Sequence, residues 1–112
     1  MIQKIITGHH PHYIKEENGI EKVLVDYKSN IKKGDTQKVE LYYKSKTGDI
    51  RTAASCSACT KVKTYKRAGN LFLVSIEFTP KSRGLHKKAV RVYERTEQKA
   101  SVMMMLEAKI KN

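Results

Sequence analysis

The chain has 112 residues, 39% hydrophobic and 30% charged, which fits one globular domain with a modest core and excludes a disordered segment. Twenty-three Lys and Arg stand against eleven Asp and Glu, a net charge of +12, so the expected partner is anionic: nucleic acid, a membrane surface or an acidic protein surface. The alternative is that the charge serves solubility alone. No apolar run approaches the roughly 18–20 residues of a membrane-spanning helix. The opening Met-Ile-Gln-Lys-Ile-Ile-Thr-Gly-His-His has no signal-peptide core or cleavage site, which predicts synthesis and folding in a cytosol.

In chain order, residues 2–6 read as a short apolar strand or arm, broken at Gly8–Pro11. His9, His10 and His12 cluster there and could bind metal or make a pH-sensitive contact, or simply be exposed. Glu16–Gly19 is a turn. Val23, Val25 and Tyr27 alternate inward on the next strand, and Asn30–Asp35 is a basic turn around Gly34. Val39, Leu41 and Tyr43 face inward on a strand whose outer side carries Lys38, Glu40, Tyr42 and Lys44. After a turn at Lys46–Asp49, a short strand covers about 50–54. Val62 and Tyr65 mark a weaker strand, closed by a turn at Arg67–Asn70.

Leu71–Pro80 carries the clearest signal. Phe72, Val74, Ile76 and Phe78 alternate to one side of a strand that Pro80 stops, since proline cannot donate to a β-ladder. Lys81–Gly84 then predicts a turn, with a second strand returning over about 85–93 as a central hairpin. Val90 and Val92 face inward on it. Glu94–Lys99 is a polar turn, and Val102, Met104, Leu106, Ala108 and Ile110 alternate along the last strand. The Met103–Ala108 run has helical propensity, but the alternation favours a strand. Seven or eight short strands with turns about every ten residues predict an all-β antiparallel sandwich or barrel. Residues 1–19 form an N-terminal arm or strand and 20–112 the folded domain.

The order of motifs resembles a known group of domains. Tyr27 precedes Ile31-Lys32-Lys33-Gly34. Then come Lys46-Thr47-Gly48, Ser55-Cys56-Ser57-Ala58-Cys59-Thr60, Ile76-Glu77-Phe78-Thr79-Pro80 with Gly84, and Val90-Arg91-Val92. This series resembles immunoglobulin-like domains of the Hydin and major-sperm-protein type, including a bacterial branch marked by Ser-Cys-Gly-Cys-Thr. The resemblance spans about residues 23–111. Here Tyr27 takes the place of that branch's Phe without its following Gly, and Ser57-Ala58 replaces the single Gly of the cysteine motif. The resemblance implies an immunoglobulin-like β-sandwich of seven to eight strands and a non-catalytic scaffold or binding module.

Cys56 and Cys59 are the two cysteines. In a reducing compartment they are expected as thiols, small buried hydrophobes at a strand end. Half a zinc site completed by His9, His10, His12 or His86, a redox pair and a late disulfide are the alternatives. No catalytic constellation or glycine-rich phosphate loop can be assembled, so neither an enzyme nor a cofactor is expected.

Two basic clusters stand out: Lys61, Lys63, Lys66 and Arg67, then Lys81, Arg83, His86, Lys87 and Lys88 with Arg91 and Arg95. Lys87, Arg91 and Arg95 share a strand parity and could line one face for phosphate. A solvated face kept apart by like charge is the alternative. Exposed aromatics are few, Tyr42 and Tyr93, which argues against single-strand recognition. Met103 and Met105 face away from the core residues Met104 and Leu106, either as a contact surface or beneath the arm residues Ile2, Ile5 and Ile6.

The first expectation is a structural interaction module, an auxiliary or decoration subunit of a tailed-phage capsid or tail. It would be assembled in host cytoplasm, found in the virion and bound to other protein subunits through Met103, Met105 and the basic residues. The alternative is a nucleic-acid or anionic-surface binder that uses the basic face.

Overall fold

The computed structural model describes residues 2–6, 12–55, 59–82 and 84–111, with side chains described over 15–25, 32–55, 59–82, 84–108 and 110. His9, His10, Cys56 and Arg83 lie outside the described residues, as does the side chain of Tyr27. The described chain is all-β, with nine strands and no helix: β1 (Ile2–Ile6), β2 (His12–Glu17), β3 (Ile20–Lys32), β4 (Gln37–Lys44), β5 (Ile50–Ala54), β6 (Thr60–Lys66), β7 (Leu71–Phe78), β8 (Gly84–Glu94) and β9 (Val102–Lys111). They form two sheets, of order β1-β4-β7-β6 and β2-β3-β9-β8-β5.

The alternating residues face each other between these sheets. Val39, Leu41 and Tyr43 of β4 and Phe72, Val74, Ile76 and Phe78 of β7 are buried. Opposite them lie Val23 and Val25 of β3, Val90 and Val92 of β8, and Val102, Met104, Leu106, Ala108 and Ile110 of β9. Each fully buried aliphatic side chain is worth about 1.5–3 kcal/mol against exposure, which is what holds the sheets face to face.

Four expectations need correction. The central hairpin does not form: β7 belongs to the four-stranded sheet and β8 to the five-stranded one. Both edges of β7 are already occupied, by β4 and β6, so the chain must cross to the other sheet after Pro80. The crossing is anchored where Thr79 N–H donates to the Cys59 carbonyl at 2.8 Å and Gly34 N–H to the Pro80 carbonyl at 3.0 Å. The fold is also not purely antiparallel, since β3 runs parallel to β9. Only a long connection allows that pairing, and β3 and β9 are the third and last strands of the chain.

The basic turn at 30–35 starts later than expected. β3 continues to Lys32 through a register shift between Tyr27 and Ile31, because β9 offers partners as far as Lys111. Glu94 is the last residue of β8 and 1% exposed, not part of a surface turn. It follows Val90 and Val92 on the inward parity.

Candidate functional site

The outer face of the five-stranded sheet carries the most unusual surface. Its rows follow from register. Leu24, Met105 and Ala89 stand side by side on β3, β9 and β8, with Tyr13 of β2 next in register to Leu24. The adjacent row is Lys15, Lys22, Met103, Arg91 and Ala53. An apolar row therefore lies against a row of cations interrupted by Met103. Met105 is 38% exposed, and Leu24, Ala89 and Met103 are half-buried.

A concavity of about 200 Å³ opens here, lined by Lys15, Glu17, Lys22, Val23, Leu24 and Met105. Glu17 lies 3.5 Å from both Lys22 and Lys15. The charge of Lys22, then that of Lys15, holds its carboxyl below the usual range. The arm residues Ile2, Ile5 and Ile6 do not lie over Met103 and Met105, because β1 pairs with β4 in the opposite sheet.

The basic residues singled out in the sequence do not converge on one surface. Lys87 and Arg91 lie on the same outer face as Met103 and Met105, and Lys87 reaches Glu107 at 3.5 Å. Lys88 has the opposite parity, beside Leu106, and is half-buried. Arg95 lies beyond the end of β8 and donates to Asp49 Oδ2 at 2.8 Å. Lys61 and Lys63 are exposed on the outer face of the four-stranded sheet. Lys66 turns back to the Gly48 carbonyl at 3.3 Å, and the Arg67 guanidinium lies 5.7 Å from the Tyr65 ring centre.

At one end of the sandwich is a buried polar knot that the sequence did not announce. The Glu94 carboxylate accepts from the Tyr43 hydroxyl, from Ser45 Oγ at 2.6 Å, from the Lys46 and Thr47 amides at 3.0 Å each, and from Thr47 Oγ1 at 2.9 Å. Burial pushes its pKa up, but the hydrogen bonds from Ser45, Tyr43 and Thr47 outweigh this and hold it at about 2. Burial, then the bond to Glu94, raises the Tyr43 phenol above its ordinary value. A polar cleft of about 240 Å³ adjoins Tyr43, with Glu16, Glu21, Lys46 and Ser101 among its lining. The signal that could have revealed the knot is the parity of Glu94.

The cysteine expectation is corrected. Cys59 is buried and disulfide-bonded, and Cys56 is the other cysteine of the chain. No group of three metal-ligating side chains comes together among the described residues. His86 instead places Nε2 at 2.8 Å from the Ser82 carbonyl. Among the described residues, no helix is long and apolar enough to cross a membrane. Compared with known proteins, the chain matches no family model, no curated protein and no solved structure.

Proposed function

We propose that this chain is a non-catalytic structural interaction module that joins a larger protein assembly through the outer face of its five-stranded sheet. The observation that carries the reading is the Leu24–Met105–Ala89 row, apolar on a solvent-facing sheet surface, set beside Lys15, Lys22 and Arg91. A hydrophobic centre with a polar rim is the anatomy of a protein interface. The cationic rim fits a partner whose own apolar patch is bordered by carboxylates.

The finer reading is an immunoglobulin-like domain of the Hydin or major-sperm-protein type, serving as an auxiliary subunit of a tailed-phage capsid or tail. Two observations support the fold part of it. The motif order resembles that group, and β4-β7-β6 and β5-β8-β9 follow the B-E-D and C-F-G order of a constant-type immunoglobulin domain, with β1 in the place of A.

The test is the mass of the native material by size-exclusion chromatography with light scattering. Recovery in a defined large particle is expected. A Leu24→Lys, Met105→Lys double variant, both positions lying on the outer face, should stay folded and be lost from that particle. A native protein that is monomeric and found in no particle would overturn the reading.

A further inference from the structure

We infer that the outer face of the other, four-stranded sheet is a binding surface for single-stranded nucleic acid, an inference that does not depend on the docking face described above. In register, Tyr42 of β4 and Tyr65 of β6 both stand opposite Leu73 of β7. The three form one transverse row, with the aromatic side chains two strands apart, about 10 Å by strand spacing. Tyr65 is 44% exposed and Tyr42 half-buried, with Leu73 buried between them at 8%. The row is thus two aromatic side chains flanking a packed apolar centre.

The surroundings are cationic. Lys63 stands in the next row and Lys61 in the one beyond it, with Lys38 on β4 and Lys44 beside Leu71. The Arg67 guanidinium lies 5.7 Å from the Tyr65 ring centre, adding a second planar group at that end. Against these five cations the same face holds two carboxylates, Glu77 and Glu40, the latter 3.9 Å from Lys38. Lys4 of β1 stands in register with Tyr42 at the far edge.

Sequence-tolerant single-strand binding needs these components: a positive track for the backbone and aromatic side chains on which bases stack. A duplex offers its bases only edge-on within grooves, so a ring exposed on a sheet, as Tyr65 is, favours the single strand. Tyr93, the other aromatic suggested by the sequence, lies on the opposite sheet with the Arg51 guanidinium 4.0 Å from its ring centre.

The experiment is fluorescence anisotropy of a labelled oligothymidylate titrated with the intact protein at several salt concentrations. The wild type should bind, with a log–log salt slope of roughly −2 to −3 for three or four phosphate contacts. Tyr65→Ala should weaken binding about tenfold, the loss of one stacked base, while Tyr65→Phe keeps it. Lys61→Glu with Lys63→Glu, both at exposed positions, should abolish it without loss of fold. Arg91→Glu on the opposite face should leave it unchanged.

No binding at low salt would overturn the inference. So would binding that Tyr65→Ala leaves intact and heparin matches, which would mark a generic polyanion surface. Sensitivity to Arg91→Glu but not to the lysine pair would overturn the assignment of the face.

Discussion

The Tyr43 hydroxyl on β4 donates to the Glu94 carboxylate on β8, so a buried hydrogen bond links the two sheets across the core. Ser45 and Thr47, on the segment that follows β4, add further donors to the same carboxylate. A buried carboxylate costs several kcal/mol unless its lone pairs are satisfied. Here they are satisfied mainly by one sheet for a residue of the other, which fixes how the sheets meet at this end.

Acid should therefore loosen the fold in a defined window. The Glu94 carboxyl falls from an ordinary 4.5 to about 2 in the folded chain. A depressed folded pKa gives stability that is complete above the unfolded value and is lost as pH drops through the folded one. The window is about pH 4.5 down to 2, and the amount is on the order of 3 kcal/mol. Urea midpoints measured across pH 6 to 2 should fall over that range in the wild type. Glu94→Gln should start less stable and show a much flatter acid limb. A Gln variant that keeps the full slope would assign the titration to other carboxylates.

Tyr43→Phe should cost about 1–2 kcal/mol, because the carboxylate keeps its Ser45, Lys46 and Thr47 donors. The wild-type phenol, raised first by burial and then by Glu94, should stay protonated when ordinary tyrosines ionise. Ultraviolet titration should therefore show a late tyrosine step that comes only as the protein unfolds in alkali. In Tyr43→Phe that late step should vanish. Its persistence would assign the late step to another tyrosine.

Much of the core was legible because a half-buried strand reveals itself locally. Val39-Leu41-Tyr43 and Val102-Met104-Leu106 alternate within their own segments, and all six are buried. What could not be read locally was which strand pairs with which. Phe78 and Val90 flank a turn-like stretch, so a hairpin is the natural expectation. It fails only because β4 and β6, remote in sequence, already occupy β7. Glu94 reads as a turn residue because its donors Ser45 and Thr47 are 49 and 47 residues away. Tyr65 illustrates a missed signal of another kind. Its neighbour Val62 suggests a shared strand face, yet the two have opposite strand parity, and the structure exposes Tyr65 while half-burying Val62.

Gly48 closes the loop that feeds Glu94 and has φ of +87°, where an added Cβ would meet Asn70 Oδ1 at 3.2 Å. Gly34 has a similar φ of +92° but open space around it. Gly34→Ala should therefore show the backbone penalty alone, about 1 kcal/mol, a drop in Tm of some 4–8 °C. Gly48→Ala should cost more, since the Asn70 side chain must also move. Thermal melts of the two variants decide it. Equal losses would mean that Asn70 yields freely.

Cys59 sits where the chain enters β6, and its carbonyl takes the Thr79 amide at the crossing between the sheets. With Cys56 as the other cysteine, the bond closes a loop of only four residues. In the chain-entropy account so short a loop is worth about 2 kcal/mol, far less than a bridge joining distant strands. Reduction should lower the Tm by about 8–16 °C and leave a folded protein, and Cys56→Ser with Cys59→Ser should behave alike. Without reductant, iodoacetamide should leave the native mass unchanged, and after reduction it should add two labels. Two labels on unreduced native protein would show that the pair is dithiol. Loss of all cooperative unfolding on reduction would instead mean that the crossing after Pro80 relies on the bridge rather than on its backbone hydrogen bonds.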